Sequence, residues 1–289
     1  MRHRCADFVE LTKPRITFLV SVTALVGFWS GSGASVDWVR MLHLLIGTAL
    51  SASGGSALNQ YIEREHDAKM RRTQSRPIPT GRVTPTEALL FGTVLCVFGC
   101  AYLSVSVNRL TMSLALATVV SYIGLYTPSK RVTPFSTVIG AVPGALPPMG
   151  GWAAARGSIN VEAWVLFAIV FLWQLPHFLA IAWMFRDDYE RGGFPMLPVL
   201  DPDGAMTGRQ IALYTLVLLP ISLAPSAFGF AGVVYFVGAF VLGVGFLWFG
   251  VRLARLRTVP EARRLLLASV AYLPLLFGLL AVDRIPGAF

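Results

Sequence analysis

Long apolar stretches alternate with short polar ones along almost the whole chain. ITFLVSVTALVGFW, MLHLLIGTALSAS, ALLFGTVLCVFGCAYLSV, LALATVVSYIGLY, AWVLFAIVFLW, IALYTLVLLPISLA, VVYFVGAFVLGVGFLWFGV and LLLASVAYLPLLFGLL can each be extended to about the 20 residues that carry a helix across a bilayer. A ninth stretch, PFSTVIGAVPGALPPMGGWAA, is less apolar and is interrupted by proline and glycine. Such a segment survives in a membrane where neighbouring helices satisfy its freed backbone groups. The pattern predicts an all-α, polytopic membrane protein of about nine transmembrane helices, forming a single domain over residues 1–289. The first apolar run has no small-residue cleavage site and more spans follow it, so it reads as a helix and not as a removable leader.

Composition agrees: 55% of residues are hydrophobic and 13% charged, against about 25% charged in soluble domains. Cys5, Cys96 and Cys100 form no disulfide framework or metal pattern. Cys96 and Cys100, one turn apart inside a span, read as packing residues.

The basic residues sort by side. Alternating the connections leaves only Arg40, Arg109, Arg156 and Arg284 of the 24 Lys and Arg on one face. The positive-inside rule then sets the N-terminus in the cytoplasm. A net charge of +9 is accounted for by this topology and by attraction to anionic lipid, and needs no nucleic-acid partner. The two longest connections, residues 61–85 and 186–209, both fall on the cytoplasmic side.

Acidic residues discriminate better, because topology does not call for them. Asn59, Glu63 and Asp67 recur at four-residue spacing. If the second span continues past the membrane edge, 100° per residue keeps them within about 80° of one another on one stripe. Such an oxygen stripe suits Mg²⁺, which takes one or two carboxylates together with waters and substrate phosphates. Lys69, Arg71, Arg72 and Arg76 follow at once, and such side chains recognise phosphate oxygens. The competing reading is a solvated, salt-bridged loop. Glu65 and His66 fall off the stripe and carry no assigned role.

The second long connection opens with WQLPHFLAIAWMFRDDYERGGFPMLP. His177 lies deep in an apolar span, where an ionisable group suggests function, although a hydrogen bond to a carbonyl freed by Pro176 would also explain it. Arg186, Asp187 and Asp188 sit at the helix end as a second cation site or as a helix-end salt bridge. Gly192, Gly193, Pro195 and Pro198 imply a tight turn able to cap a site. Tyr126, Lys130 and Arg131 reach the same rim, while Lys13, Pro14 and Arg15 read as interface anchors. Trp152, Trp164, Trp173 and Trp183 read as belt and packing residues.

The stretch NQYIEREHDAKMRRTQSRP is similar to the first signature of the UbiA-type intramembrane prenyltransferases. TKPRITFLV, MRRTQSRP and above all WQLPHFLAIAWMFRDDYERGGFPML resemble the protohaem IX farnesyltransferase (haem O synthase) branch of that family. The resemblance runs from about Leu11 to the last span. It implies helices bundled around a central cavity, and Mg²⁺-assisted transfer of a farnesyl group from farnesyl diphosphate to a vinyl group of haem b, giving haem o. It makes Asn59, Glu63 and Asp67 the Mg²⁺–diphosphate ligands and Arg72, Arg76, Tyr126 and Lys130 diphosphate contacts. It leaves Asp187 and Asp188 in a second acidic region, with His177 as a haem contact. The wider family spaces two aspartates four apart in that second region; here they are adjacent, so Arg186 stands as a phosphate contact in place of a second full metal site. The location implied is the bacterial cytoplasmic (inner) membrane. The partners implied are the lipid bilayer and a second copy of the chain or the haem–copper oxidase assembly. A prenyltransferase acting on a quinone-ring precursor and a transporter of an anionic substrate remain alternatives.

Overall fold

The computed structural model describes residues 2–285, with side chains from residue 4 onward; the single domain expected over 1–289 reaches at both ends outside the described residues. Every extended element is helical: α1 (Arg2–Leu11), α2 (Pro14–Gly31), α3 (Trp38–Asp67), α4 (Pro85–Ser106), α5 (Arg109–Val120), a π-helical turn (Ser121–Tyr126), α6 (Thr127–Ser129), α7 (Ser136–Arg156), α8 (Val161–Met184), α9 (Arg186–Arg191), α10 (Leu197–Leu200), α11 (Ala205–Ala227), α12 (Val233–Leu256) and α13 (Val259–Val282). Among the described residues the one extended pairing is an isolated bridge between Ala231 and Arg284.

Seven helices, counting α5 to α6 as one, are long and apolar enough to cross a membrane. An eighth is formed if α1 and α2, which meet at a 45° bend, act as one span. The expected ninth, α7, is a continuous helix of 21 residues that holds Pro143, Pro147 and Pro148. It is not among the apolar spans, so length and apolarity alone do not reach the expected count among the described residues.

Local signals set the helix ends. Asp37 and Asn108 accept the Arg40 and Thr111 N–H groups at the starts of α3 and α5. At α4, Thr84 and Glu87 form a reciprocal capping box before Pro85, satisfying N–H groups that a helix start otherwise orphans. Large apolar side chains such as Phe18, Val97, Phe98, Val241 and Trp248 face outward. In water this would be an association-prone surface; around a bundle of spans it is the side that meets lipid tails.

The core lies between α7, α8, α11, α12 and α13, where Trp152, Leu166, Ile169, Tyr235, Tyr272 and Leu276 are fully or almost fully buried. Helix approach depends on small residues. A Cβ on Gly27 of α2 would lie 1.9 Å from the Pro148 carbonyl oxygen, and one on Gly151 of α7 would lie 1.9 Å from that of Ala24. These contacts seat α2 on α7 and bring the start of α2 beside the end of α3, where the polar residues gather.

Candidate active site

The last turns of α3 carry the stripe inward. Asn59, Glu63 and Asp67 are 1%, 4% and 0% exposed, whereas Glu65, off the stripe, faces solvent. Burying such groups is costly unless each is partnered, and a separate element supplies a cation to each. Lys13, between α1 and α2, donates from Nζ to Asn59 Oδ1 at 2.9 Å. Lys130, after α6, donates to Glu63 Oε1 at 2.8 Å. Arg76, in the connection from α3 to α4, donates to Asp67 Oδ2 at 2.6 Å. The stripe and these three cations border a polar cavity of about 70 Å³, with Arg72, Tyr122, Tyr189 and Phe194 on its walls.

The π-helical turn explains one approach. Its widened ring brings both the backbone N–H and the Oγ1 of Thr127 onto the Tyr122 carbonyl. Thr127 Oγ1 thereby accepts the Asn59 amide N–H at 3.2 Å. Single π-turns inside helices gather at functional sites. Here the turn orients Asn59 so that its carbonyl oxygen faces Lys13 and the cavity. Tyr122 and Tyr126 stack at 5.5 Å, and Lys130 Nζ lies 4.6 Å from the centre of the Tyr126 ring. Burial works against the charge on Lys130, but the Glu63 carboxylate holds its ammonium well above the usual lysine value.

Asp67 Oδ1 is the unpaired atom of the site: it is buried and has no hydrogen-bond partner. An unpartnered carboxylate oxygen, on a residue that lines a polar cavity, is a place for a cation. No group of three or more His, Cys, Asp or Glu converges on a metal position among the described residues. Two carboxylates and an amide nevertheless fit Mg²⁺, which draws its remaining ligands from water and phosphate.

The second connection closes over the first. Arg72 Nη2 meets the Tyr189 hydroxyl at 3.2 Å, and its guanidinium lies over the rings of Phe185 and Tyr189. His66, given no role by its place off the stripe, bonds through Nδ1 to the Gly192 carbonyl at 2.6 Å and packs on Phe194. Gly193, at φ +72°, turns the chain there. The first connection is shorter than residues 61–85, because α3 runs to Asp67. The second contains α9 and α10 and ends at Ala205, short of residue 209.

Several expected site residues lie elsewhere. Lys69 is exposed and outside the cavity. Arg186 is exposed too, lying over the Trp183 ring with a loose 3.6 Å pairing to Asp187; the Asp187 side chain is 80% exposed. Asp188 is buried, but Arg191 and the N–H groups of Arg71 and Arg72 hold its carboxylate. At 100° per residue two neighbouring aspartates must face apart, and the pair does not converge on the cavity. Burial works against ionisation of Asp188, yet those donors hold its carboxyl below the usual range. His177 lies in α8 away from the stripe, stacked on Trp173 at 5.0 Å, with Nδ1 2.7 Å from Ser269 Oγ of α13.

Sequence reasoning missed Lys13, Tyr122 and Tyr189. Read as an interface anchor, Lys13 instead bonds Asn59 from a backbone at φ +48°, a left-handed conformation costing about 1–2 kcal/mol for a residue with a Cβ. Its place before Pro14 favours an extended backbone and gave no signal of the left-handed one it adopts. Tyr122 stands one helical turn before Tyr126, and Tyr189 follows the aspartate pair directly.

The chain as a whole is similar to known proteins. The protoheme IX farnesyltransferase of Solibacter usitatus (strain Ellin6076) is 50% identical over 290 residues, covering 97% of this chain and 99% of the relative. That of Koribacter versatilis (strain Ellin345) is 46% identical, covering 96% and 93%. Among solved structures, a UbiA homolog from Aeropyrum pernix K1 superposes with a TM-score of 0.71 at 18% identity, covering 93% of this chain and 97% of that one. A UbiA homolog from Archaeoglobus fulgidus bound to GPP and Mg²⁺ superposes with a TM-score of 0.67 at 12% identity, covering 95% and 99%; at these identities the likeness is one of fold. With residues 20–277 matching the family as a whole, the chain belongs to the UbiA prenyltransferase family.

Proposed function

We propose that this protein transfers the farnesyl group of farnesyl diphosphate to a vinyl group of haem b, releasing diphosphate and giving haem o. The observation that carries the reading is 50% identity to a protoheme IX farnesyltransferase along almost the full length of both chains. The buried stripe with its ring of cations is chemistry suited to a diphosphate. Asn59, Glu63 and Asp67 would hold Mg²⁺, with Asp67 Oδ1 as its open position. When bound, the ion would offset the negative charge that grows on the leaving diphosphate.

The chain's own groups act in the same direction. Lys13, Lys130, Arg72 and Arg76 surround the cavity and would receive the diphosphate oxygens, stabilising charge that develops as the allylic carbon–oxygen bond breaks. Each is bonded to a protein group before substrate arrives, Lys130 and Arg76 to carboxylates, Lys13 to an amide oxygen and Arg72 to a phenol, so binding exchanges these partners for diphosphate oxygens. The aromatic walls exclude water from the allylic cation and present π faces to it. The vinyl carbon forms the new bond to the farnesyl carbon, and a water molecule adds to the resulting cation with loss of a proton. His177, its Nδ1 bonded to Ser269, is left with Nε2 for the haem iron. The site would lie at the cytoplasmic rim of a bacterial inner-membrane protein, on the side richer in Lys and Arg.

The purified protein, given Mg²⁺ and farnesyl diphosphate with either haem b or an aromatic acid, tests this by product mass and diphosphate release. Haem o with stoichiometric diphosphate is expected. Product from the aromatic acid alone would reassign the acceptor, and no diphosphate release with either would remove the transferase reading.

A further inference from the structure

The polar cavity is walled by two connections that come from different halves of the chain, and one buried carboxylate joins them. Asp188 Oδ1 accepts the Arg71 N–H at 3.2 Å and Asp188 Oδ2 accepts the Arg72 N–H at 3.3 Å. Arg191 donates to Oδ1 from the last turn of α9. Two successive backbone N–H groups make a natural anion seat. Here that seat is filled by a side chain of the same molecule. Asp188 does not line the cavity, although Tyr189 beside it does. With both oxygens engaged, the carboxylate faces the backbone of the first connection and not the Mg²⁺ position beside Asp67.

Its grip falls where position matters. The side chains of Arg72 and Arg76 reach the cavity from this segment, and the backbone that carries them has no regular helix or strand to hold it. Fixing the N–H groups of residues 71 and 72 fixes the start of the segment. The Tyr189 and Phe185 rings then orient the Arg72 guanidinium. His66 and Gly192 tie the other side of the same seam.

We infer that Asp188 is a positioning residue that holds the first connection in register against the second, setting Arg72 and Arg76 for the diphosphate, and is not a metal ligand. The inference rests on the cavity being the diphosphate site. It also separates the two adjacent aspartates, assigning Asp187 no part in the seam.

The test compares Asp188→Asn with the unaltered protein in detergent. An asparagine keeps one acceptor and sets an N–H against the second backbone N–H. The KM for farnesyl diphosphate should rise about tenfold or more, within the roughly 10²-fold that misplacing substrate-positioning groups can cost. The Mg²⁺ concentration for half-maximal activity, measured at saturating farnesyl diphosphate, should stay unchanged. Trypsin, acting with no substrate present, should cut faster after Arg71 and Arg72. Asp187→Asn should be cut at the unaltered rate. Arg191→Gln, which leaves both backbone contacts in place, should move the KM and the cutting rate in the same direction by less, and carries the test if Asp188→Asn does not fold. A tenfold rise in the Mg²⁺ requirement with unchanged proteolysis would make Asp188 a ligand and overturn the inference. So would unchanged KM and unchanged proteolysis together. Because proteolysis is read without turnover, a protein inactive toward farnesyl diphosphate would refute the proposed function while the cutting rate still reports on the seam.

Discussion

Replacing Lys130 by methionine tests whether the site's own cations compete with Mg²⁺. Methionine is of similar length and apolar, so Lys130→Met removes a charge and donor with little change in shape. The ammonium lies 2.8 Å from Glu63 Oε1, with 15% and 5% of the two side chains exposed. At an effective dielectric of about 20, an attraction at that separation is about 6 kcal/mol before desolvation is counted. Removing one member of a buried pair usually costs about 3–5 kcal/mol. Lys13 and Arg76 border the same cavity and compensate in part, so the expected loss of stability is about 2–3 kcal/mol. That loss should appear as a lower unfolding midpoint in metal-free detergent solution. Mg²⁺ should then raise the midpoint of the variant more than that of the unaltered protein, because the freed carboxylate no longer has an ammonium to share. Turnover should fall by about 10²–10³-fold, as when one donor to a developing oxyanion is removed. Equal Mg²⁺ responses together with normal turnover would refute the argument, leaving the Lys130–Glu63 pair a structural salt bridge.

The other expectations are narrower. Asp67→Asn keeps an acceptor for Arg76 and loses the charge beside the open Oδ1; farnesyl transfer should fall at least a hundredfold, on the order of one lost metal or oxyanion contact, with the protein still eluting as a folded species, and near-normal product formation would contradict the assignment. His177→Ala should weaken haem binding, followed by absorbance titration, more than it weakens binding of farnesyl diphosphate; equal losses would mark the Ser269 contact as structural. Gly151→Ala drives a methyl group into the Ala24 carbonyl and should cost about 1–3 kcal/mol, read as a lower unfolding midpoint.

The fold was legible where physics acts along the chain. Apolar runs of bilayer length marked the spans, and a four-residue spacing placed Asn59, Glu63 and Asp67 on one face, all now found buried together. α7 was harder, because its prolines and glycines lower its apolarity while its burial against neighbours preserves the helix. α1 carries no such apolar run and was not expected as a separate helix. The site was legible in its anions and less so in its cations: Lys130 and Arg76 follow helix ends near the stripe, but Lys13 reaches Asn59 from 46 positions away. The bend between α1 and α2 and the seating of α2 on α7 bring it there. Asp187 and Asp188 carry the same chemistry in sequence and separate only once α9 turns one outward and the other beneath the first connection.

The size of the cavity carries the last step. About 70 Å³ is room for a few water molecules, well below the several hundred cubic ångströms that a ligand of substrate size fills. A prenyl diphosphate is larger than this space, so the walls of the cavity must move to receive it. The contacts that would yield if the two connections part are Asp188 with the Arg71 and Arg72 N–H groups, Arg72 with Tyr189, and His66 with Gly192. Each is a hydrogen bond of about 0.5–1.5 kcal/mol, or up to about 3 where a charge takes part, and all lie in one seam. Opening that seam leaves the stripe on α3 in place, because Asn59, Glu63 and Asp67 belong to a continuous helix. The arrangement thus divides the labour: the anionic stripe sits on a rigid element, while Arg72 and Arg76 sit on one that can part from its neighbour. Substrate that engages both would bridge the rigid stripe and the movable cations, with the seam parted as far as the diphosphate requires.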